Sequence, residues 1–317
     1  MPDAVEYDIL IVGGGPAALA AAIYAGRAEM RTLVLERSGL GGQVALTHAI
    51  ENYPGFPEGI PGPELTTRMA AQAARFGVET RIEEVTRLET EGILKVLITA
   101  ENCYRAPAVI LAMGADPRKL NVPGENELRG RGVSYCATCD GPFFRGKKLV
   151  VVGGGDTALK EALFLTHFAA EVVIVHRRDT FRAEKIYQTE AAGNPKIRLE
   201  PESVVERILG KEKVEGVELR HVKSGAVKTF PCEGVFIFIG RIPNTGFLKN
   251  VFPQQHGGQL ETDRDMMTCE PGIFAIGDVR QYSYRQIAAA VGEGAIAAIA
   301  AENWISAKRA EGTLKRR

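Results

Sequence analysis

The sequence predicts an α/β fold of two Rossmann-like nucleotide-binding domains, one inserted in the other. Three features predict it. A glycine-rich unit occurs twice, apolar strands alternate with helical stretches, and a strand suited to the first unit lies far downstream of the second. The repeat is direct: Ile11-Val-Gly-Gly-Gly-Pro-Ala-Ala-Leu-Ala-Ala-Ala22 returns as Val151-Val-Gly-Gly-Gly-Asp-Thr-Ala-Leu-Lys-Glu-Ala162, seven of twelve positions identical at an offset of 140 residues. So long a period suits two domains rather than a solenoid.

Each copy reads as strand, turn, helix, strand. In the first, Tyr7 to Val12 is a buried strand, Gly15 to Arg27 a helix and Thr32 to Glu36 a second strand. In the second, Lys148 to Val152, Thr157 to Phe168 and Val172 to His176 take the same parts. Continuous apolar strands alternating with helices specify a parallel sheet covered on both faces. Further strands end in glycine: Ala108 to Gly114, Val235 to Gly240, and Gly272 to Asp278. The last follows the second unit, so the C-terminal stretch is expected to complete the first domain. Residues 1–117 and 245–317 then form one domain and residues 118–244 the inserted one, with crossings near Pro117 and Asn244. The basic tail, Lys308 to Arg317, reads as a solvated, frayed end.

Composition narrows the function. The 317 residues suit two domains, and 39 basic side chains balance 39 acidic ones. A nucleic-acid binder usually shows a basic excess, and a disordered acidic chain the reverse. The start of the chain, with Asp3 and Glu6, has no basic segment leading into a long apolar stretch, so no signal peptide is expected. The apolar region Ile287 to Ile305 is broken by Gly292, Glu293, Gly294 and Glu302, which argues against a membrane span. A cytoplasmic protein is the expectation, and five cysteines do not form a fully paired secreted framework.

Gly13-x-Gly15-x-x-Ala18 follows a strand and opens a helix. The first glycine permits the tight turn and the second lets the backbone approach a pyrophosphate. The small third residue allows close helix packing. The helix N-terminus adds unpaired N–H groups and a favourable dipole. Glu36, 23 residues beyond Gly13, can accept hydrogen bonds from a ribose diol. In the second copy, Gly153-x-Gly155-x-x-Ala158, the position of Glu36 is taken by His176, followed by Arg177, Arg178 and Arg182. Arginines pair with a 2′-phosphate where an acid would repel it. One site therefore suits a dinucleotide without a 2′-phosphate and the other one with it, which points to FAD and NADPH. The NADPH domain is then the one inserted in the FAD domain.

Cys136-Ala-Thr-Cys139 precedes the second glycine loop and is followed by Asp140. Zinc would need four ligands, and Cys103, Cys232 and Cys269 are scattered without a second pair, so no metal is expected. A redox-active dithiol fits beside flavin and nicotinamide sites. Asp140 is a candidate general acid–base, or an N-cap for a following helix.

These motifs together resemble the bacterial-type, low-molecular-weight thioredoxin reductases, class II pyridine nucleotide-disulfide oxidoreductases. The likeness extends over essentially the whole chain. It is carried by Gly13-Gly-Gly-Pro-Ala-Ala18, Gly41-Gly-Gln43, Ile50-Glu-Asn-Tyr-Pro-Gly-Phe56, Cys136-Ala-Thr-Cys-Asp140, Gly153-Gly-Gly-Asp-Thr-Ala158, His176-Arg-Arg178 with Arg182, and Gly277-Asp-Val279 with Tyr284-Arg-Gln286. The resemblance implies that Gly13, Gly15, Pro16 and Ala17 hold the FAD pyrophosphate and Glu36 its ribose. It implies that Gly42, Gln43, Asn52, Gly114, Gly277, Asp278, Arg285, Gln286 and Ile287 line the rest of that site. Gly153, Gly155, Asp156 and Thr157 would hold NADPH with His176, Arg177, Arg178 and Arg182. Cys139 would be the sulfur nearest the flavin, and Cys136 the one that attacks the disulfide of a thioredoxin or thioredoxin-like partner. The implied enzyme is an NADPH-dependent thioredoxin reductase and a cytoplasmic homodimer. A rotation of the inserted domain is expected, since dithiol and nicotinamide must address one flavin in turn. A ferredoxin-linked reductase, a small-molecule dithiol oxidase and a non-enzymatic redox sensor are the competing readings. The arginine cluster argues against the first two, neither of which needs it. Three departures stand out: Ala18 where a third glycine is common, Lys160 where an acid is common, and a short segment at Ile186 to Lys196.

Overall fold

A computed structural model describes residues 4–47, 49–252 and 256–315. Met1 to Asp3, part of the N-terminal stretch read above, and Arg316 and Arg317 of the tail lie outside the described residues. The chain divides into two compact units, residues 1–116 with 242–317, and residues 117–241. The crossings run through strands Ala115–Pro117 and Arg241–Pro243, which pair as a two-stranded ribbon.

In the first unit a five-stranded parallel sheet has the order Ile273–Ala275, Ala108–Leu111, Ile9–Val12, Thr32–Glu36, Glu79–Ile82. Alternation within its strands fills two cores. Ile9, Ile11, Val34, Ile110 and Phe274 meet helices Pro16–Arg27 and Ile287–Ala310 on one face. Leu10, Val12, Leu33, Leu35 and Leu111 meet Leu88, Leu97 and Tyr104 on the other. Those last three belong to a second sheet of four strands, Val5–Glu6, Cys103–Ala106, Leu94–Ile98 and Arg87–Glu91.

The inserted unit follows the same plan. Its parallel sheet has the order Val133–Ser134, Gly234–Ile237, Lys148–Val152, Glu171–Val175, Ile197–Glu200. Helices Asp156–Leu165 and Lys185–Gly193 cover one face. A meander of Ser203–Leu209, Gly216–His221 and Val227–Pro231 covers the other. The units differ at the outer strand beside Ala108–Leu111 or its counterpart Gly234–Ile237. In the first unit that place is filled from the C-terminal stretch, and in the second by Val133–Ser134, which leads directly into Cys136.

Three local expectations are corrected. The strand expected over Tyr7 to Val12 is shortened to Ile9–Val12, and Tyr7 and Asp8 link it to a further short strand, Val5–Glu6, that joins the second sheet. Asp8 sits at the change of sheet, accepting from Arg31 N–H at 2.8 Å and pairing with Arg309 at 2.6 Å. The helix expected to reach Phe168 stops at Leu165, where the Thr166 hydroxyl turns back to the Leu163 carbonyl at 2.6 Å. The tail is not frayed at its start: Lys308, Arg309 and Ala310 form the last helical turn, and the Arg309–Asp8 pair anchors it.

Candidate active site

The first glycine loop is built by backbone sterics. Gly13 has φ +108°, and a Cβ there would strike the Ala112 carbonyl. Only glycine relieves both constraints. Gly15 is the helix N-cap in extended conformation, without a side-chain cap, and a Cβ on it would meet nothing within 4 Å. The first-turn N–H groups therefore lack a protein side-chain partner beside open space, which is the cradle a pyrophosphate requires. Ala18 is fully buried, so the absent third glycine leaves the helix packing intact. Glu36 ends the second strand, where it accepts from Gly14 N–H at 2.6 Å and Ser38 N–H at 3.1 Å.

Remote segments converge on this loop. Gly41 donates its N–H to the Gly14 carbonyl at 2.7 Å, and Gly42 lies against Gly15. Gly277, φ +71°, packs on Ala17, where an added Cβ would stand 3.2 Å from the alanine methyl. Asn52 donates to Gln286 at 3.2 Å across 234 residues of sequence. Arg285 is exposed at φ +51°, and Ile287 starts the final helix. Pro16 is buried at the first helical position, Gly114 lies open at φ +66°, and Asp278 is half-buried. Gln43 and Arg37 both bind Asp116, at 2.7 and 3.2 Å.

Two contributors escaped the sequence reading. Glu293, seen there only as an interruption of an apolar run, is buried and accepts from Gly277 N–H at 2.6 Å. It also pairs with Arg280 at 2.8 Å. Asp116 was likewise unassigned. An acid inside an apolar run was the available signal for Glu293, since a buried carboxylate needs partners.

The second loop repeats the first. Gly153 has φ +153°, and a Cβ would come within 2.5 Å of the Phe238 carbonyl and 2.7 Å of the Ala158 methyl. Gly155 caps helix Asp156–Leu165 beside open space. Asp156 accepts from Glu184 N–H at 2.7 Å, and Thr157 is exposed. The backbone of Arg182 and Ala183 donates to the Gly154 carbonyl at 2.7 and 3.2 Å, tying the arginine segment to the loop. Arg177, Arg178 and Arg182 are exposed, and none of them forms an ion pair among the described residues. His176 differs from them. It is buried beneath Gly154, stacked on Phe181 at 5.2 Å, with its Nε2 unpartnered. Burial, then the charges of Arg182, Arg178 and Arg177, lower its pKa, opposed by a hydrogen bond that the ring donates to the Thr180 backbone carbonyl. A neutral ring that supports the loop results, rather than a fourth cation. Lys160 lies over the Tyr187 ring at 4.4 Å, on the short helix Lys185–Gly193.

Cys136 and Cys139 form a disulfide across the single turn Ala137–Asp140, Cα atoms 5.3 Å apart. Strand Val133–Ser134 delivers them to the carboxyl end of the parallel sheet, the end at which the Gly153 loop also opens. Open α/β sheets bind ligands there. Cys136 caps the turn: its Sγ accepts from Cys139 N–H at 3.2 Å and its carbonyl from Asp140 N–H at 3.1 Å. Asp140 does not cap the following 3-10 helix Gly141–Phe144 with its side chain. Burial raises its pKa, partly offset by a hydrogen bond from Ser134 at 2.5 Å. Cys103 and Cys232 are buried, and burial pushes the Cys232 thiol to about 12. Cys269 is exposed. Among the described residues no group of three or more His, Cys, Asp or Glu could hold a metal, and no helix is long and apolar enough to cross a membrane.

Comparison with known proteins follows the same lines. The pyridine nucleotide-disulphide oxidoreductase family matches residues 7–294. A thioredoxin reductase of Treponema pallidum (strain Nichols) is 46% identical over 300 residues, 95% of this chain and 97% of that protein. A bifunctional thioredoxin reductase/thioredoxin of Mycobacterium leprae (strain TN) is also 46% identical, over 95% of this chain and 66% of that longer protein. The crystal structure of thioredoxin reductase from Streptococcus pyogenes MGAS5005 superposes with a TM-score of 0.92 at 46% identity, covering 96% of this chain and 99% of that one.

Proposed function

This chain belongs to the pyridine nucleotide-disulphide oxidoreductase family, and we propose that it is a thioredoxin reductase that uses NADPH. Residues 1–117 with 245–317 are its FAD domain, and residues 118–244 its NADPH domain. The partner is thioredoxin or a thioredoxin-like protein, and the enzyme is a cytoplasmic homodimer. The observation that carries the reading lies within the inserted unit. A disulfide stands at the same sheet end as a glycine loop tied to a segment with three exposed arginines, none of them ion-paired among the described residues.

The loop residues fit both dinucleotides. Gly13 permits the tight turn, Gly15 opens on free space that would admit a pyrophosphate, and Glu36 would accept from the ribose hydroxyls. Arg177, Arg178 and Arg182 supply charge for a 2′-phosphate, and the neutral His176 sets the loop's height. When bound, FAD supplies a two-electron carrier between a nicotinamide and a disulfide.

The chain's own residues account for the exchange with the partner. In the dithiol form, the Cys136 thiolate attacks one sulfur of the partner disulfide, and that sulfur–sulfur bond breaks. The departing partner sulfur takes a proton from Asp140, whose carboxyl burial shifts toward the protonated form. Cys139 then gives its proton to Asp140 and attacks Cys136. The Cys136–Cys139 bond re-forms and the second partner sulfur leaves. Two electrons pass to the partner, and a proton from solvent completes its dithiol.

Mixing the FAD-loaded protein with NADPH and candidate thioredoxins of the same source tests the reading. Bleaching of the flavin and reduction of thioredoxin are expected. With Cys139→Ser the flavin should still bleach while thioredoxin stays oxidised. Bound flavin with no oxidation of NADPH would support a redox sensor instead.

A further inference from the structure

We propose that Ser134 is the positioning residue of the acid–base step, its one hydroxyl holding the Asp140 carboxyl and the Cys136 backbone in a single arrangement. The proposal rests on the reading of Asp140 as proton donor and acceptor in disulfide exchange. Ser134 ends the outer strand of the inserted sheet and is 4% exposed, so water does not compete for its hydroxyl. Its Oγ lies 2.5 Å from Asp140 Oδ2, 3.1 Å from Cys136 N and 3.2 Å from Cys136 O.

A serine hydroxyl has one proton and two lone pairs. The proton goes to Asp140, the nearest acceptor and the one that carries charge when ionised. A lone pair receives the Cys136 N–H. Ser134 therefore serves both ends of the turn that carries the disulfide. It fixes where the carboxyl points, and it stabilises the carboxylate left after Asp140 has given up its proton. Burial alone would raise the carboxyl's affinity for a proton, so that it takes one from Cys139 readily but gives one up to the partner sulfur reluctantly. The hydroxyl opposes burial and keeps both directions open, as a group that alternates between acid and base requires.

No other charge on neighbouring elements takes this part. Helix Asp156–Leu165 packs on the turn and carries Asp156, Lys160 and Glu161, yet none of them acts on the Asp140 charge. Strand Gly234–Ile237 and the 3-10 helix Gly141–Phe144 carry no titratable side chain. The remaining titratable groups of the turn are the two cysteines. The sequence offered Ser134 only as the residue two before Cys136.

The test uses the full-length, FAD-loaded protein, reduced with dithiothreitol and desalted without oxygen. The rate of thiol alkylation by iodoacetamide is followed against pH, which reads the carboxyl through its effect on the neighbouring thiolate without turnover. Wild type should show an inflection that Asp140→Asn removes. Ser134→Ala should move that inflection upward by about one pH unit, a tenfold gain in proton affinity. Ser134→Thr, which keeps the hydroxyl, should restore it. In the Asp140→Asn background, Ser134→Ala should change nothing further. If Asp140→Asn removes the inflection but Ser134→Ala leaves it in place, the role of Ser134 fails and that of Asp140 stands. If Asp140→Asn leaves the profile unchanged, both fail. A loss of reactivity with Ser134→Ala that is equal in both backgrounds and not restored by threonine would mark a purely structural residue and overturn the proposal.

Discussion

Replacing Arg177 and Arg178 together by alanine should remove most of the preference for a 2′-phosphate and leave the fold intact. Both side chains are exposed and unpaired among the described residues, so their loss breaks no internal ion pair. Stability should change by less than about 0.5 kcal/mol. The loop keeps its shape, because Gly154 stays tied to Arg182 and Ala183 and rests on His176. A hydrogen bond to a charged group contributes about 1.5–3 kcal/mol, and solvent exposure favours the low end. Two such contacts amount to about 3 kcal/mol, or about 150-fold in affinity. Partial takeover by Arg182 reduces the expected loss to about 30–150-fold. Calorimetric titration with 2′,5′-ADP and with 5′-AMP measures this directly, since the two ligands differ only by the 2′-phosphate. The 2′,5′-ADP affinity should fall by that factor while 5′-AMP stays within about threefold. In steady state, the KM for NADPH should rise far more than that for NADH. Added salt should weaken 2′,5′-ADP binding more in the wild type than in the variant. Equal weakening of both ligands would falsify the phosphate clamp.

Glu293→Ala should lower the denaturant midpoint of the first unit by the equivalent of about 1.5–3 kcal/mol and weaken FAD binding, because Gly277 N–H loses its acceptor and the half-buried Arg280 its charge partner. Glu293→Gln keeps an acceptor for Gly277 N–H and loses only the charge facing Arg280, so a variant as stable as wild type would show that the Arg280 pair contributes nothing. Asp140→Asn should stabilise the protein at pH 7 and not at pH 3. The folded Asp140 carboxyl titrates above its ordinary value of 3.8, so the cost of burying it charged is absent below that value and complete above the raised one. Equal midpoints for the two proteins at both pH values, read by urea unfolding, would contradict this. Gly153→Ala should cost about 1–3 kcal/mol in the inserted unit and weaken 2′,5′-ADP binding, because φ +153° and the Phe238 carbonyl both oppose a Cβ. Unchanged melting and binding would show that the loop relaxes freely.

Much of this protein was legible from sequence because the relevant constraints are local. A Gly-x-Gly turn between strand and helix is dictated by φ at Gly13 and Gly153, and such sterics involve a few adjacent atoms. The strands are legible for the same reason, since Ile9–Val12 and Lys148–Val152 are apolar runs bounded by turn residues. The C-x-x-C pair lies within one helical turn, so its spacing is its geometry.

What the sequence left open is which polar groups meet. Glu293 finds Gly277 and Arg280, Asn52 finds Gln286, and Asp116 gathers Arg37 and Gln43, across separations that no periodicity encodes. Asp8, at the change of sheet, bonds an arginine 301 residues away. Even His176, grouped in sequence with the arginines that follow it, is a buried ring just beyond strand Glu171–Val175, stacked on Phe181. Local backbone sterics and hydrophobic period determined the two nucleotide units and the redox pair from sequence alone. The partners of each buried charge were decided only by the tertiary structure, since a buried polar group must bond to whatever the packed chain brings within about 3 Å.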